Sequence, residues 1–426
     1  MKEYKGIKNA IDRAVESLEK ELIEFAQEIV RIPTENPPGR YYPECAETIG
    51  DMMKKIGCEV EYINIPEELL PELAPKGKNL PRVNVIGRYK GTHDRPNIHF
   101  SGHYDVVPAG EGWSVDPYEA VVKDGKLFGR GSSDQKSGIV SQIFAIYALK
   151  KAGIKLKGTI ISSATPDEET GGEAGMGYLV KEGYLNKENT DYCVITECLD
   201  VDKVCLGHRG TLWFELTTKG VQSHGSMPYE GVNAIENMVK VINAIDKKIR
   251  PLLMADSKYP IQPVECRKST LTITTVEAGN KVNTVPNRCK ATFDWRLIPE
   301  QSVSWAKEKI LSICEELKSK DPNFDYEFNV IMEVEPTIVP DDTDVVNAFL
   351  KAGNEYLGKE MDFSLSPGSD DQKYVVKEGN MEECIVYGPG PLVLAHKVDE
   401  YVKIEDMKNS AKIMALATAM LLGVEE

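Results

Sequence analysis

The stretch from Asn97 to Gly138 constrains this chain most. It opens on a short alternating apolar segment, Ile98 and Phe100, with the period of a strand, and runs straight into Ser101-Gly-His103-Tyr-Asp105-Val-Val-Pro. After a loop, Gly129-Arg-Gly-Ser-Ser-Asp134-Gln-Lys-Ser-Gly138 leads into Ile139-Val-Ser-Gln-Ile-Phe-Ala-Ile-Tyr-Ala-Leu-Lys, whose apolar spacing is helical. The spacing predicts His103 and Asp105 just past a strand end and Asp134 in a loop entering a helix. Ligand sites in open α/β sheets form at the carboxyl ends of strands, so the location suits chemistry. A His and an Asp two apart on extended backbone point the same way. His103 could bind a metal through one ring nitrogen while Asp105 holds the other or sets the local charge. Taken alone, the pair reads more simply as a capped turn with a surface acid.

What changes the weight of that pair is the supply of acids further along. Gly158-Thr-Ile-Ile-Ser-Ser-Ala164 reads as a buried strand running into Thr165-Pro-Asp167-Glu168-Glu169. Three consecutive acids are expensive to hold near a core unless cations neutralise them. The competing reading is a solvated helix N-terminus, where acids are welcome. Tyr192-Cys-Val-Ile-Thr196 is another apolar strand and ends in Glu197. A strand at Cys384–Tyr387 feeds Gly388-Pro-Gly-Pro391 and then Leu394-Ala-His396-Lys-Val-Asp399-Glu400. Separate strand ends thus offer His103, Asp134, Glu168/Glu169, Glu197 and His396. Two histidines with several carboxylates suit Zn²⁺, Co²⁺ or Mn²⁺, and two ions sharing a bridging carboxylate fit the ligand count.

The surrounding periodicity predicts helices over 7–31, 45–56 and 404–422 and strands over 59–65 and 83–89, with a proline-rich loop over 66–82. The texture changes near His208. Strands near 211–220, 271–277, 290–297 and 326–331, with helices at 233–249 and 302–317, follow the order of a ferredoxin-like module. The predicted organisation is therefore an α/β catalytic domain with a mixed central sheet, residues 1–207 and 335–426. An α+β ferredoxin-like domain interrupts it over 208–334.

The formal net charge of −16 argues against a nucleic acid or an anionic membrane as partner. No apolar run approaches the ~20 residues of a membrane span. The N-terminal Met1-Lys-Glu-Tyr-Lys-Gly precedes a charged amphipathic helix rather than an apolar signal core. The nine cysteines are odd in number and contain no C-x-x-C pair, and they are read as reduced, mostly buried thiols. The expectation is a cytoplasmic protein.

The ordered motifs resemble the M20 family of metallo-aminoacylases and carboxypeptidases, of the acetylornithine deacetylase and succinyl-diaminopimelate desuccinylase type. The resemblance spans essentially the whole chain. It rests on Ser101-Gly-His103-Tyr-Asp105-Val-Val-Pro, Gly129-Arg-Gly-Ser-Ser-Asp134, Asp167-Glu168-Glu169, Glu197, the Gly225-Ser-Met-Pro segment after His224, and Ala395-His396-Lys-Val-Asp-Glu400. It implies two divalent ions, zinc before cobalt or manganese, bridged by Asp134. His103 and Glu197 would complete one site, Glu169 and His396 the other. Glu168 would be the general base and Asp105 the partner of His103. The inserted domain would be a lid and dimerisation domain whose His224 reaches the active site of a second subunit in a homodimer. Arg209, Asn283 and Arg296 of the insert, with Gly368 and Ser369 of the catalytic domain, match substrate-binding positions. Glu197 resembles the deacylase and carboxypeptidase branch, since aminopeptidase-like members tend to carry Asp there. Ser366-Pro-Gly-Ser-Asp-Asp-Gln departs from the related Gly-Thr-Ser-Asp-x-Arg pattern. The expected activity is hydrolysis of an N-acyl amino acid amide. A dipeptidase or carboxypeptidase, or an inactive amino-acid-binding homologue, is the alternative.

Overall fold

The computed structural model describes residues 4–77 and 79–425. The chain divides into two units. The first comprises Met1–Leu206, Val339–Ser364 and Asp370–Glu426, the second Gly207–Ile338 and Leu365–Ser369.

The first unit is built on a mixed sheet. Its centre is four parallel strands in the order Thr159–Thr165, Asn97–His103, Tyr192–Ile195 and Cys384–Val386. Val83–Tyr89 and then Glu59–Asn64 extend one side antiparallel. Lys203–His208 adds antiparallel on the other, pairing Cys205 with Val386. The central strands Asn97–His103 and Thr159–Thr165 are buried on both faces, as parallel strands covered on both sides are, although they mix apolar residues with small polar ones and histidine. The helices Lys5–Val30, Lys136–Lys151 and Ile404–Leu422 pack on one another. Lys136–Lys151 is apolar nearly all round and buried along most of its length. Lys5–Val30 keeps a polar stripe, and its acids Asp12, Glu16 and Glu19 pair with Lys408 and Lys412 of the last helix at 2.6–2.8 Å. Alternate residues Cys193, Ile195, Cys384 and Val386 share a separate apolar cluster with Met176, Tyr374 and Val375.

The second unit carries a four-stranded antiparallel sheet ordered Thr270–Ala278, Arg288–Leu297, Gly210–Lys219, Asp325–Val334. In chain order this is strand positions two, three, one, four, the ferredoxin-like arrangement. Helices Ala234–Lys248 and Val303–Lys320 cover one face, where Leu212, Phe214, Leu216, Phe293 and Trp295 meet Val241 and Ile310. Phe214 and Phe293 stack with ring centroids 4.7 Å apart.

Two points differ from the sequence reading. Gly368 and Ser369, expected in the catalytic domain, belong to the second unit. Leu365–Ser369 is stitched there by backbone hydrogen bonds, Arg209 N to Ser366 O, Leu365 N to Pro260 O and Gln262 N to Leu365 O. The expected loop over 66–82 contains the short helical turns Glu67–Leu69 and Leu70–Leu73, with Pro71 at a helix start, where its missing N–H costs nothing. Among the described residues no helix is long and apolar enough to cross a membrane. No disulfide joins any of the nine cysteines among the described residues, and Cys266 is half-buried while the other eight are buried.

Candidate metal centre

The parallel strands bring their carboxyl ends side by side. His103 closes its strand opposite Thr165, and Thr196 N donates to Ser101 O at 2.8 Å. Asp167, in the left-handed region at φ 66°, turns the chain after Thr165 so that Glu168 and Glu169 follow at the same sheet edge. Glu197 follows the next strand. Asp134 lies two residues before the helix Lys136–Lys151. That helix comes so near the strand end that a Cβ on Gly138 would sit 1.9 Å from Thr196 O.

The side chains converge. His103 Nε2 lies 3.1 Å from Glu197 Oε1, 3.3 Å from Asp134 Oδ1 and 3.9 Å from Glu168 Oε2. His396 Nε2 lies 3.0 Å from Glu169 Oε2 and 3.4 Å from Asp134 Oδ2. The two oxygens of Asp134 therefore face two different histidines. His396 reaches in from a left-handed residue at φ 62°.

His103 Nδ1 is 3.0 Å from the Asp105 carbonyl oxygen. A carbonyl only accepts, so Nδ1 carries a proton, and the other ring nitrogen, Nε2, is turned toward the carboxylates. Carboxylates gathered around one buried nitrogen repel one another unless a positive charge, a proton on the ring or a cation, stands among them. Consistently, the buried His103 Nε2 and Glu169 Oε1 have no hydrogen-bond partner among the described residues.

The electrostatics say the same. Burial pushes Glu168 well up, with Glu197 and Asp371 adding to it. Burial and the neighbouring Asp134 bring Glu169 to about 7. Burial also raises Glu197. Burial would raise Asp134 too, but the two histidine rings hold it well below the usual carboxylate range. Contacts with Asp134 and Glu169 bring His396 to about 11. Burial opposes the charge on His103, yet Glu197, Asp105 and Asp134 lift its pKa well above the ordinary histidine value. The cluster demands positive charge, and imidazole and carboxylate donors fit a divalent transition ion. Among the described residues three triads have ligand atoms mutually within 4.8 Å, His103-Glu168-Glu197, His103-Asp134-Glu169 and Asp134-Glu197-Cys198.

Asp105 does more than face His103. Its Oδ1 accepts from Glu168 N at 3.2 Å and its Oδ2 from Glu169 N at 3.1 Å, so one buried carboxylate holds the backbone of the acid pair. Asn36 Nδ2 donates to Asp105 Oδ2 at 2.8 Å and to Asp167 Oδ1 at 3.1 Å, and Arg82 Nε donates to Asp167 Oδ2 at 2.7 Å. On the opposite side Glu400 Oε1 accepts from Ser133 N and Asp134 N at 2.8 and 2.9 Å while Arg130 neutralises it. Sequence reasoning passed over Asn36, Arg82 and Arg130 and gave Glu400 no role. Only the motif context of Arg130 and Glu400 hinted at them.

The remaining expected site residues lie in the second unit. His224 is exposed, pairs with Thr284 across a two-residue strand, and shares its Nδ1 with Ser226 Oγ at 2.7 Å. Asn283 is beside it, its carbonyl accepting from Gly225 N. Arg209 is buried, its Nη2 3.4 Å from Thr270 Oγ1. Arg296 grips Asp294 at 2.8 and 3.1 Å. Gly368 N donates to Ser366 Oγ at 3.3 Å, and Ser369 follows, half-buried.

The model of peptidase family M20/M25/M40 matches residues 99–419. Succinyl-diaminopimelate desuccinylase of Marinobacter nauticus is 28% identical over 388 residues, 88% of this chain and 98% of that protein. Among solved structures, a di-peptidase from Saccharomyces cerevisiae superposes with a TM-score of 0.74 at 17% identity, over 99% of this chain and 100% of that one. A Bacillus subtilis protein described as a dinuclear metal binding peptidase from the M20 family gives a TM-score of 0.67 at 17% identity, over 96% of this chain and 100% of that one. At such identities the two structures speak to the fold alone.

Proposed function

This chain belongs to peptidase family M20/M25/M40, and we propose that within it the protein hydrolyses the amide bond of an N-acyl amino acid. The observation that carries the reading is Asp134, whose two oxygens are aimed at two histidines, each with its own further acid. His103 and Glu197 would hold one ion, His396 and Glu169 a second, and Asp134 would bridge. Two divalent ions, zinc before cobalt or manganese, would supply carbonyl polarisation and a more acidic water.

The chain's own residues do the rest. Glu168, half-buried and pushed up in pKa, takes the proton of the attacking water and hands it to the leaving amine. Asp105 holds the Glu168 and Glu169 backbone in place. His224, exposed on the second unit, would come from the partner subunit of a homodimer to stabilise the developing oxyanion. The second unit would then act as lid and dimerisation domain. Its outer strands Thr270–Ala278 and Asp325–Val334 leave Val276 and Ile331 exposed, which supports an intersubunit edge. Arg209, Asn283, Arg296, Gly368 and Ser369 would contact the substrate. Nine cysteines with no disulfide among the described residues support a cytoplasmic location.

The desuccinylase relative at 28% identity supports an acylated amino acid as substrate. A dipeptide is the second reading, favoured by one observation. Gln372, where the related loop carries arginine, is fully buried with its amide donating to Cys384 O at 2.9 Å, so no cation is offered there for a second carboxylate. The test is hydrolysis of a panel by the Zn²⁺- or Co²⁺-loaded protein, read as free amine released. The panel holds N-acetylornithine, N-succinyl-diaminopimelate, other N-acyl amino acids and dipeptides. Preference for one N-acyl amino acid supports the reading. Turnover of dipeptides alone replaces it with the second.

A further inference from the structure

Cys198 stands apart from the other buried thiols. Cys193, Cys205 and Cys384 lie in an apolar cluster with Met176 and Val375, and Cys289 and Cys314 lie in the core of the second unit. Cys198 follows directly on Glu197 and is 3% exposed. Its sulfur, an Asp134 oxygen and a Glu197 oxygen all lie within 4.8 Å of one another. The Glu197 carboxylate is turned by two contacts, Oε1 at 3.1 Å from His103 Nε2 and Oε2 accepting from Cys198 N at 3.2 Å. Independently, His103 Nε2 is buried, has no hydrogen-bond partner among the described residues and points at the same two acids. Asp134 and Glu197 thus face the His103 nitrogen and also belong to a donor group with the Cys198 sulfur.

The distances suit shared ligation. A tetrahedral ion with a sulfur at about 2.3 Å and an oxygen at about 2.0 Å keeps those donors roughly 3.5 Å apart. The three donor atoms lie within 4.8 Å of one another, so ligation would draw them together.

We propose that Cys198 is a sulfur donor to the cation held by His103, Asp134 and Glu197, making that centre N,O,S-ligated while the His396 centre stays N,O-ligated. This rests on the metal reading above. On binding, the S–H bond breaks, its proton leaves to solvent and the sulfur lone pair forms the metal–sulfur bond. A soft thiolate shifts preference toward zinc, cobalt and cadmium and away from manganese at this centre only.

Cobalt reports sulfur ligation directly. The full chain loaded with Co²⁺ is expected to show visible ligand-field bands together with a near-ultraviolet sulfur-to-cobalt charge-transfer band. Cys198→Ser is expected to bind the same cobalt, keep ligand-field bands and lose the charge-transfer band. Cobalt bound without that band, or a band unchanged in Cys198→Ser, overturns the proposal and leaves the two-ion reading standing. Failure of the wild-type protein to take up cobalt overturns both. Should Cys198→Ser not fold, zinc-edge X-ray absorption on the wild-type protein decides. A sulfur shell at about 2.3 Å supports the proposal, and nitrogen and oxygen alone at about 2.0–2.1 Å refute it.

Discussion

Replacing Arg82 with alanine should destabilise the protein by about 3–5 kcal/mol at neutral pH. The Arg82 and Asp167 side chains are 1% and 2% exposed and meet at 2.7 Å. Truncation leaves Asp167 with only the Tyr42 hydroxyl at 3.0 Å and the Asn36 amide at 3.1 Å. It also removes the donor that Leu80 O and Pro38 O each accept from at 2.9 Å. Burial, with Asp105 beside it, already pushes the Asp167 carboxyl above its ordinary value, and Arg82 leads the groups that resist this. Without Arg82 the folded-state pKa climbs further. Stability from an acid raised in the folded state is fully present below its unfolded value, about 3.9, and is lost as pH rises through the folded value. The deficit should therefore widen toward neutrality and shrink at about pH 5. Urea unfolding followed by far-ultraviolet circular dichroism at both pH values measures it. Asp167→Asn added to Arg82→Ala should recover part of the loss, because the stranded charge is gone. Turnover should fall with stability, since Asp167 anchors the turn that delivers Glu168 and Glu169. A deficit below about 1 kcal/mol, or one that does not shrink on acidification, refutes the reasoning.

Glu168→Ala should lower kcat by about 10²–10⁴ while metal content by mass spectrometry stays that of wild type; loss of an ion instead would make Glu168 a ligand, which its proximity to His103 and Glu197 allows. Burial holds His99 down at about 3, so the folded protein stays neutral there while the unfolded chain takes up a proton below about 6.5. Stability is then lost as pH falls from about 6.5 toward 3, and between pH 7 and about pH 5 wild type should lose about 2 kcal/mol more than His99→Gln; parallel losses would exclude His99 as the source. Gly138→Ala should destabilise by about 1–3 kcal/mol in thermal unfolding, because its Cβ would meet Thr196 O at 1.9 Å. A melting curve identical to wild type would show that the helix can withdraw freely.

Much was legible in the chain because it is local. The alternating segment at 97–103 and the segment at 159–165 form buried strands as their patterns predict, and the last helix, Ile404–Leu422, lies where its periodicity puts it. The order of His103, Asp134, Glu168, Glu169, Glu197 and His396 along the sequence, each beside a strand or helix end, suggested one site, and the fold brings these side chains together. Tertiary structure alone decided how they are held. Asp105 serves the Glu168 and Glu169 backbone from 63 and 64 residues away, and Glu400 secures Asp134 across 266. Such contacts join groups whose sequence separation carries no periodic signal. The same holds for Cys198, which a composition argument assigns to a core and which lies instead among carboxylates. Leu365–Ser369 went to the other unit because its backbone bonds lie with Arg209, Pro260 and Gln262. The sequence by itself determined which side chains could bind a cation. Only the packed sheet decided which oxygen of Asp134 faces which histidine, because direction is a property of neighbouring elements and not of the order of residues.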